Sequence, residues 1–322
     1  MKKILVTGSG GIGGVNFVRA LKIFSDKFFI VGTDFNKYYL QFADIDQRII
    51  SPKHSDPDFI NFLNKITEKY KIDFIHPQPS SEALVISQNL DSITTKTLLP
   101  PPNVISTDKL ETQKILSKLG IFVAKTKVIA NYEMISNIFE ELGSGPHWIR
   151  AKTGAGGNLS LLCNTPNEVE YWMKLWIIRG KANFDDFMLQ QYLPGRNIAW
   201  DSFWYNGKLV SSFTRERLEY PFKHISPSGI TGTPTVSKII VEESVNKIGE
   251  DAVKSVHKKP HGNYAVDLKQ SIDGKWYVTE IDSGKFHTTT PLWGYISTKI
   301  LKQDPVYNIP YLYTMIGLNE IS

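Results

Sequence analysis

"NYAVDLKQSIDGKWYVTEIDSGKFHTTT", Asn263–Thr290, is two strand-like runs joined by a turn. Asn263–Gln270 and Lys275–Ile281 read as the strands, and "SIDG" at Ser271–Gly274 as the hairpin between them. Asp267 lies on one arm, and Glu280 and Asp282 lie at the end of the other. Residues two apart on a strand share a face, so Glu280 and Asp282 point the same way, and pairing across the turn brings Asp267 near them. Three clustered carboxylates repel one another unless a cation neutralises them. Hard oxygen ligands select Mg²⁺ or Mn²⁺, ions that usually keep waters and bridge substrate phosphates. The apolar neighbours Val266, Val278 and Ile281 argue against a merely solvated strand end. Lys285 and His287 follow closely, within reach of a transferring phosphoryl group.

Upstream, "WIRAKTGAGGNLS" (Trp148–Ser160) delivers Arg150 and Lys152 on a strand and then Gly154, Gly156 and Gly157. Exposed glycine amides beside two cations suit phosphate, although a plain hairpin turn has the same composition. It is not a Walker loop, because G-x-x-x-x-G-K-[ST] is absent. "MLQQYLPGRNIAWDSFWYNGKLV" (Met188–Val210) runs from a hydrophobic strand through Gln190, Gln191, Tyr192 and Leu193 into a Pro194-Gly195 turn and a second strand. Such a segment offers backbone groups and an apolar contact to an adenine edge; alone it is an ordinary strand–turn–strand. Asn206-Gly207 reads as a two-residue hairpin turn. In "STDKLETQKILSKLG" a helix opens with Ser106 or Thr107 as cap and Lys109 in its first turn, where a lysine is ordinarily solvated.

The first hundred residues alternate strand and helix: strands at Ile4–Thr7, Phe28–Thr33 and Ile72–His76, helices at Gly13–Phe24 and Asp58–Lys69. That alternation implies a parallel doubly wound sheet. Its first turn, "TGSGGIGG", contains G-x-G-x-x-G, and Asp34 ends the second strand where a ribose-binding acid of a dinucleotide site belongs. The Y-x-x-x-K pair that a short-chain dehydrogenase also needs occurs only as Tyr295 and Lys299, outside this region. Glycines at a first strand–helix turn also serve close packing alone. "LLPPPNV" (Leu98–Val104) breaks regular structure and marks a boundary, beyond which antiparallel strands and helices give an α+β body.

At 322 residues the chain has room for two or three domains. Its 41% hydrophobic and 21% charged residues are ordinary for a soluble protein. No apolar run approaches the roughly 20 residues of a membrane span, and the amino-terminal one is too short for a signal peptide. A single cysteine, Cys163, excludes intrachain disulfides and suits a reducing cytoplasm, the expected location. The net charge of +5 is spread along the chain, which argues against nucleic acid as partner. The expected partners are small molecules, with a homodimer as the default assembly.

Taken in order, these features resemble the ATP-grasp superfamily, most closely the ATP-binding unit of the carbamoyl phosphate synthetase large subunit and its stand-alone relatives. The likeness covers nearly the whole chain and implies a Rossmann-like pre-ATP-grasp α/β domain (1–104), then an α+β ATP-grasp fold in two subdomains (105–186 with the glycine flap, 187–322 with the metal site). It implies that Lys109, Arg150 and Lys152 hold ATP phosphates, that Gly154, Gly156 and Gly157 form the flap, and that Gln190, Gln191, Tyr192 and Leu193 bind adenine. Asn197 falls where a ribose-contacting acid is usual, and Gln191 where the linker's Glu is usual. Asp267, Glu280 and Asp282 match the metal-binding acids, the last more often Asn. Lys285, near a position usually filled by Arg, joins Arg150 as a catalytic cation, and "EIDSGK" is one residue longer than the common form. Ser9, Gly10, Gly11, Arg215, Arg217 and, from "HPQPSSEA", Glu82 are the implied substrate contacts. The implied activity is that of an ATP- and Mg²⁺-dependent ligase, carbamoyl phosphate synthetase-like in its ATP unit, that joins a carboxylate to an amine through an acyl phosphate. The alternatives are an NAD(P)-dependent reductase or epimerase built on the glycine turn, and an ATP-binding regulatory subunit without turnover.

Overall fold

In the computed structural model of the chain, residues 1–106, 108–152, 159–224, 226–230 and 232–321 are described. The first sheet is built from short apolar runs separated by helices: β1 (Lys2–Thr7), α1 (Ile12–Leu21), β2 (Phe28–Asp34), β3 (Gln47–Ile50), α2 (Phe59–Tyr70) and β4 (Phe74–Pro77). Its strands are parallel in the order β3-β2-β1-β4. Ile4, Leu5 and Val6 are wholly buried, because a central parallel strand is covered on both faces. The chain changes sides of β1 between β3 and β4, so the carboxyl ends of β1 and β4 border a crevice of the kind in which doubly wound sheets bind ligands. α3 (Ser80–Gln88) starts directly after Pro79 at that edge.

The connection to the next layer differs from expectation in two places. The proline stretch is not devoid of structure: Pro102 opens a one-turn helix, α4 (Pro102–Ile105), since a proline in the first turn loses no helical hydrogen bond. The following helix, α5 (Lys109–Lys118), is capped by Asp108 and not by Ser106; Thr107 lies outside the described residues. The Asp108 carboxylate accepts from the Leu110 and Glu111 amides at 2.7 and 3.1 Å, and its charge also suits the positive end of the helix.

The second sheet is antiparallel, β5-β8-β6-β7, from β5 (Thr126–Val128), β6 (His147–Ala151), β7 (Leu161–Cys163) and β8 (Phe187–Gln191). α6 (Ile135–Glu141) and α7 (Pro166–Ile178) cover one face, burying Ile138 and Met173 against Ile149 and Leu189. The third sheet, β11-β10-β9-β12-β13, contains β9 (Asn197–Tyr205), β10 (Lys208–Glu219), β11 (Val236–Ile239), β12 (Gly262–Gln270) and β13 (Trp276–Ser283), with α8 (Glu243–Val256) between β11 and β12. Asn206 and Gly207, at φ of 50° and 86°, make the β9–β10 turn, a conformation for which Asn-Gly is the favoured pair.

Period-two alternation sorts this sheet. Ile198, Trp200 and Trp204 pack against Leu116 of α5 and Val245, Ala252 and Val253 of α8. Gly249 is needed there, because a Cβ would stand 2.4 Å from the Trp200 indole. The opposite face carries Phe203 and Phe213, which share a core with Phe17 of α1 and Tyr313 of α10 (Ile309–Gly317), while α9 (Thr289–Tyr295) packs along α1. The last helix thus returns to the first sheet. The polar positions of the same face border a cleft between the three sheets.

Candidate functional site

That cleft is a cavity of about 600 Å³. Each wall contributes side chains two residues apart, as strand geometry dictates: Trp148 and Arg150 from β6, Arg215 and Arg217 from β10, Asp267 and Lys269 from β12, Glu280 and Asp282 from β13. Asp267 and Glu280 are direct cross-strand partners, the arrangement the hairpin pattern implied. Gln190, Gln191, Tyr192, Leu193 and Asn197 line the cleft beside Trp148, and Lys285, His287 and Thr288 line it below β13.

The acids are balanced by side-chain cations. Glu280 receives Lys109 Nζ at 3.1 Å on one oxygen and Arg150 Nη2 at 2.7 Å on the other. Arg217 grips Asp267 with two guanidinium nitrogens, at 2.9 and 2.6 Å. His287 stands between Asp201 (3.0 Å) and Asp282 (3.3 Å). Among the described residues no three His, Cys, Asp or Glu side chains gather as a metal centre. Asp267 and Glu280 stand opposite one another as expected, but the three carboxylates do not gather on one point: each is turned to side-chain cations, because an adjacent positive charge relieves the repulsion between like charges.

These pairings set the protonation of the cleft. Burial alone would lower the His287 pKa, but the charges and hydrogen bonds of Asp201 and Asp282 outweigh it and hold the imidazolium to about 9. Burial opposes ionisation of Asp282, and its bond to His287 reverses this, so Asp282 stays below the usual carboxylate range. Lys269 is pushed down to about 8 by burial and by the positive charges of Arg150 and Arg217, with Asp267 opposing. Arg215 is only 2% exposed, 3.7 Å from Asp201, and its Nε and Nη1 make no hydrogen bond among the described residues. An Arg with unused donors in a cleft wall can receive an anionic group.

Other expected site residues fall differently. Gly154, Gly156 and Gly157 lie outside the described residues. Lys152 is tied through its backbone to Asp186 and Lys109 and does not line the cavity. Gln190 donates its amide to Thr126 Oγ1 at 2.8 Å. Asn197 is engaged by Tyr220 and Arg217.

The glycine turn requires the largest correction. Gly8, Gly11, Gly13 and Gly14 border the cavity, but Ser9 and Gly10 do not. Ser9 is fully buried and donates to the Thr33 carbonyl. Gly10 gives its amide to Asp34 Oδ2 at 3.2 Å, and a Cβ on it would meet the Tyr39 carbonyl carbon at 2.3 Å. Asp34 uses its other oxygen on the Asn36 amide. The loop after β2 thus covers the turn and occupies the acid that a dinucleotide ribose would need; the glycines there serve packing. Tyr295 and Lys299 border a separate, smaller pocket. Glu82 also misses the cleft: it sits in the first turn of α3, 4% exposed, behind β1. Burial pushes its carboxyl up to about 7, with the neighbouring Thr7 hydroxyl opposing and the Asp34 charge adding to the rise. Pro79 starts α3 too early for Glu82 to sit in a loop.

Sequence reasoning overlooked Trp148, Lys269, Asp201 and Gln78. Asp201 was signalled by an acid at an in-phase position of an otherwise apolar strand. Gln78 links the first sheet to the carboxy-terminal segment, bonding His76 at 3.0 Å and the Phe286 carbonyl at 2.7 Å.

No protein-family model and no curated protein sequence matches the chain. Solved structures do. The L-amino acid ligase of Bacillus licheniformis superposes with a TM-score of 0.67 at 13% identity, over 99% of this chain and 74% of that one. The biotin carboxylase domain of Hydrogenobacter thermophilus 2-oxoglutarate carboxylase, solved with MgADP, ADP and bicarbonate, gives 0.68 at 14%, over 97% and 69%. N5-carboxyaminoimidazole synthetase of Staphylococcus aureus, complexed with ADP, gives 0.64 at 16%, over 89% and 71%. At this identity the likeness establishes the fold, and that fold is the ATP-grasp fold.

Proposed function

We propose that the chain is an ATP-dependent ligase that activates a carboxylate as an acyl phosphate for attack by an amine or similar nucleophile, releasing ADP and phosphate. The observation that carries this reading is the sharing of Glu280 by Arg150, from within the cleft that also holds Arg215, Arg217 and Lys285, and by Lys109, from an adjoining pocket that Glu280 and Asp282 also line. The structural neighbours, two of them solved with ADP, agree with it. Lys109 and Arg150 would exchange Glu280 for phosphate oxygens and hold the triphosphate in line, since catalysis of phosphoryl transfer is chiefly positioning and charge neutralisation. The donor chemistry fits Mg²⁺: Glu280, so released, and Asp282 are hard oxygen ligands on one strand face, opposite Asp267. When bound, that ion would neutralise charge on the transferring phosphoryl group. Arg215 would supply guanidinium donors for the substrate carboxylate, and Lys285, in the lining of the same cleft, would offset charge gained in the transfer. No side-chain nucleophile is required, because the carboxylate itself attacks the γ-phosphate.

Thermal stabilisation by Mg·ATP, and ADP release with a panel of carboxylates and amines, test the reading. Glu280→Ala is expected to abolish turnover. Stabilisation by NAD(P)H and not by Mg·ATP would overturn it.

A further inference from the structure

At the end of the cleft farther from Glu280, two side chains from different sheets face one another. Trp148 stands one strand step beyond Arg150 on β6, and Lys269 one step beyond Asp267 on β12. The Lys269 ammonium lies over the Trp148 indole, 5.3 Å from the ring centroid. Among the described residues Lys269 has no ion pair or side-chain hydrogen bond. The neighbouring acid, Asp267, is already held by both arms of Arg217. A half-buried ammonium whose neighbouring acid is already engaged is costly to place here, and a residue of apolar or neutral polar type would pack more cheaply. The cation therefore has a use in this cleft.

An ammonium offers three donors and no acceptor. A purine with a carbonyl at C6, such as guanine or hypoxanthine, presents N7 and O6 side by side as acceptors, whereas adenine sets an amino donor beside N7. We infer that Trp148 and Lys269 are the base-recognition pair of the cleft, the indole covering one face of a purine and the lysine donating to its N7/O6 edge, so that 6-oxopurine triphosphates bind in preference to ATP. This rests on the acyl-phosphate ligase reading above and changes its nucleotide, putting a 6-oxopurine triphosphate in the place given there to ATP. To admit the base, the Lys269 side chain leaves the indole face it now covers and its ammonium moves to the ring edge.

Calorimetric titration of the full chain with GTP, ITP, ATP and inorganic tripolyphosphate, each with Mg²⁺, tests this. GTP and ITP are expected to bind about tenfold more tightly than ATP, the discrimination typical of one well-placed base-edge contact. In Lys269→Met that ratio falls to about one, while tripolyphosphate binds as to the unaltered chain. Trp148→Ala weakens all three nucleotides and leaves tripolyphosphate unchanged. Tighter binding of ATP than of GTP and ITP to the unaltered chain would overturn the inference without need of any variant. So would an unchanged ratio in Lys269→Met, or an equal loss of tripolyphosphate, which would make Lys269 a phosphate contact. Failure of every triphosphate to bind the unaltered chain would instead sink the ligase reading itself.

Discussion

Replacing Glu280 by Gln should weaken the empty protein and strengthen its grip on polyphosphate. Glu280 is 16% exposed and serves two cations, Lys109 at 8% and Arg150 at 16% exposure. Without its charge the two cations repel one another across a neutral amide, a cost of about 3 kcal/mol for charges roughly 6 Å apart at an effective dielectric near 20. Loss of one partner from a buried pair costs about 3–5 kcal/mol by itself, so a destabilisation of about 3 kcal/mol is a conservative figure. For a chain of this size it lowers the Tm by about 4–5 °C. Free tripolyphosphate, without metal, must displace Glu280 in the unaltered protein but not in Glu280→Gln. Its affinity should therefore rise by up to about 100-fold in the variant, the equivalent of the same energy. Differential scanning calorimetry and titration calorimetry read both effects, while ligase turnover disappears. An unchanged Tm, or weaker tripolyphosphate binding in Glu280→Gln, would refute the view that Glu280 holds the phosphate cations in reserve.

Two further outcomes follow from the same geometry. Gly10→Ala is expected to cost about 1–3 kcal/mol through overpacking against the Tyr39 backbone, with no change in Mg·ATP affinity beyond that loss; a fall in Tm without a change in affinity checks it. The raised His287 pKa makes its contribution to stability complete below about pH 6.5 and lost as pH rises through about 9. Melting temperatures at pH 6.5 and 9 should therefore diverge in the unaltered chain, and His287→Gln should flatten that difference; a variant that keeps the full alkaline decline would contradict the Asp201–His287–Asp282 arrangement.

Much of this was readable from local pattern. The hairpin of Asn263–Thr290 follows from alternating side chains around a Gly-containing turn, and the same alternation set Asp267 opposite Glu280. β3 was not readable: "QRII" is four residues long, and becomes a strand by pairing with Val31–Asp34. β5 and β11 are short pieces of the same kind, three and four residues, completed by β8 and β10. The glycine turn misled because G-x-G-x-x-G describes a tight turn and close helix packing, and says nothing of what covers it; the loop from Asn36 to Leu40 decides that.

By itself, then, the sequence determined the layer architecture, the cleft-facing phase of each long strand and the chemical types set along it, because period and turn chemistry act over a few residues. Only the tertiary structure decided the partners. Lys109 and Arg150 on Glu280, Arg217 on Asp267, His287 between Asp201 and Asp282, and Lys269 over Trp148 join residues that lie 5 to 171 positions apart. Charge pairing in a partly buried cleft depends on angstrom-scale distance and on exclusion of water, and neither is fixed until the three sheets have closed on one another.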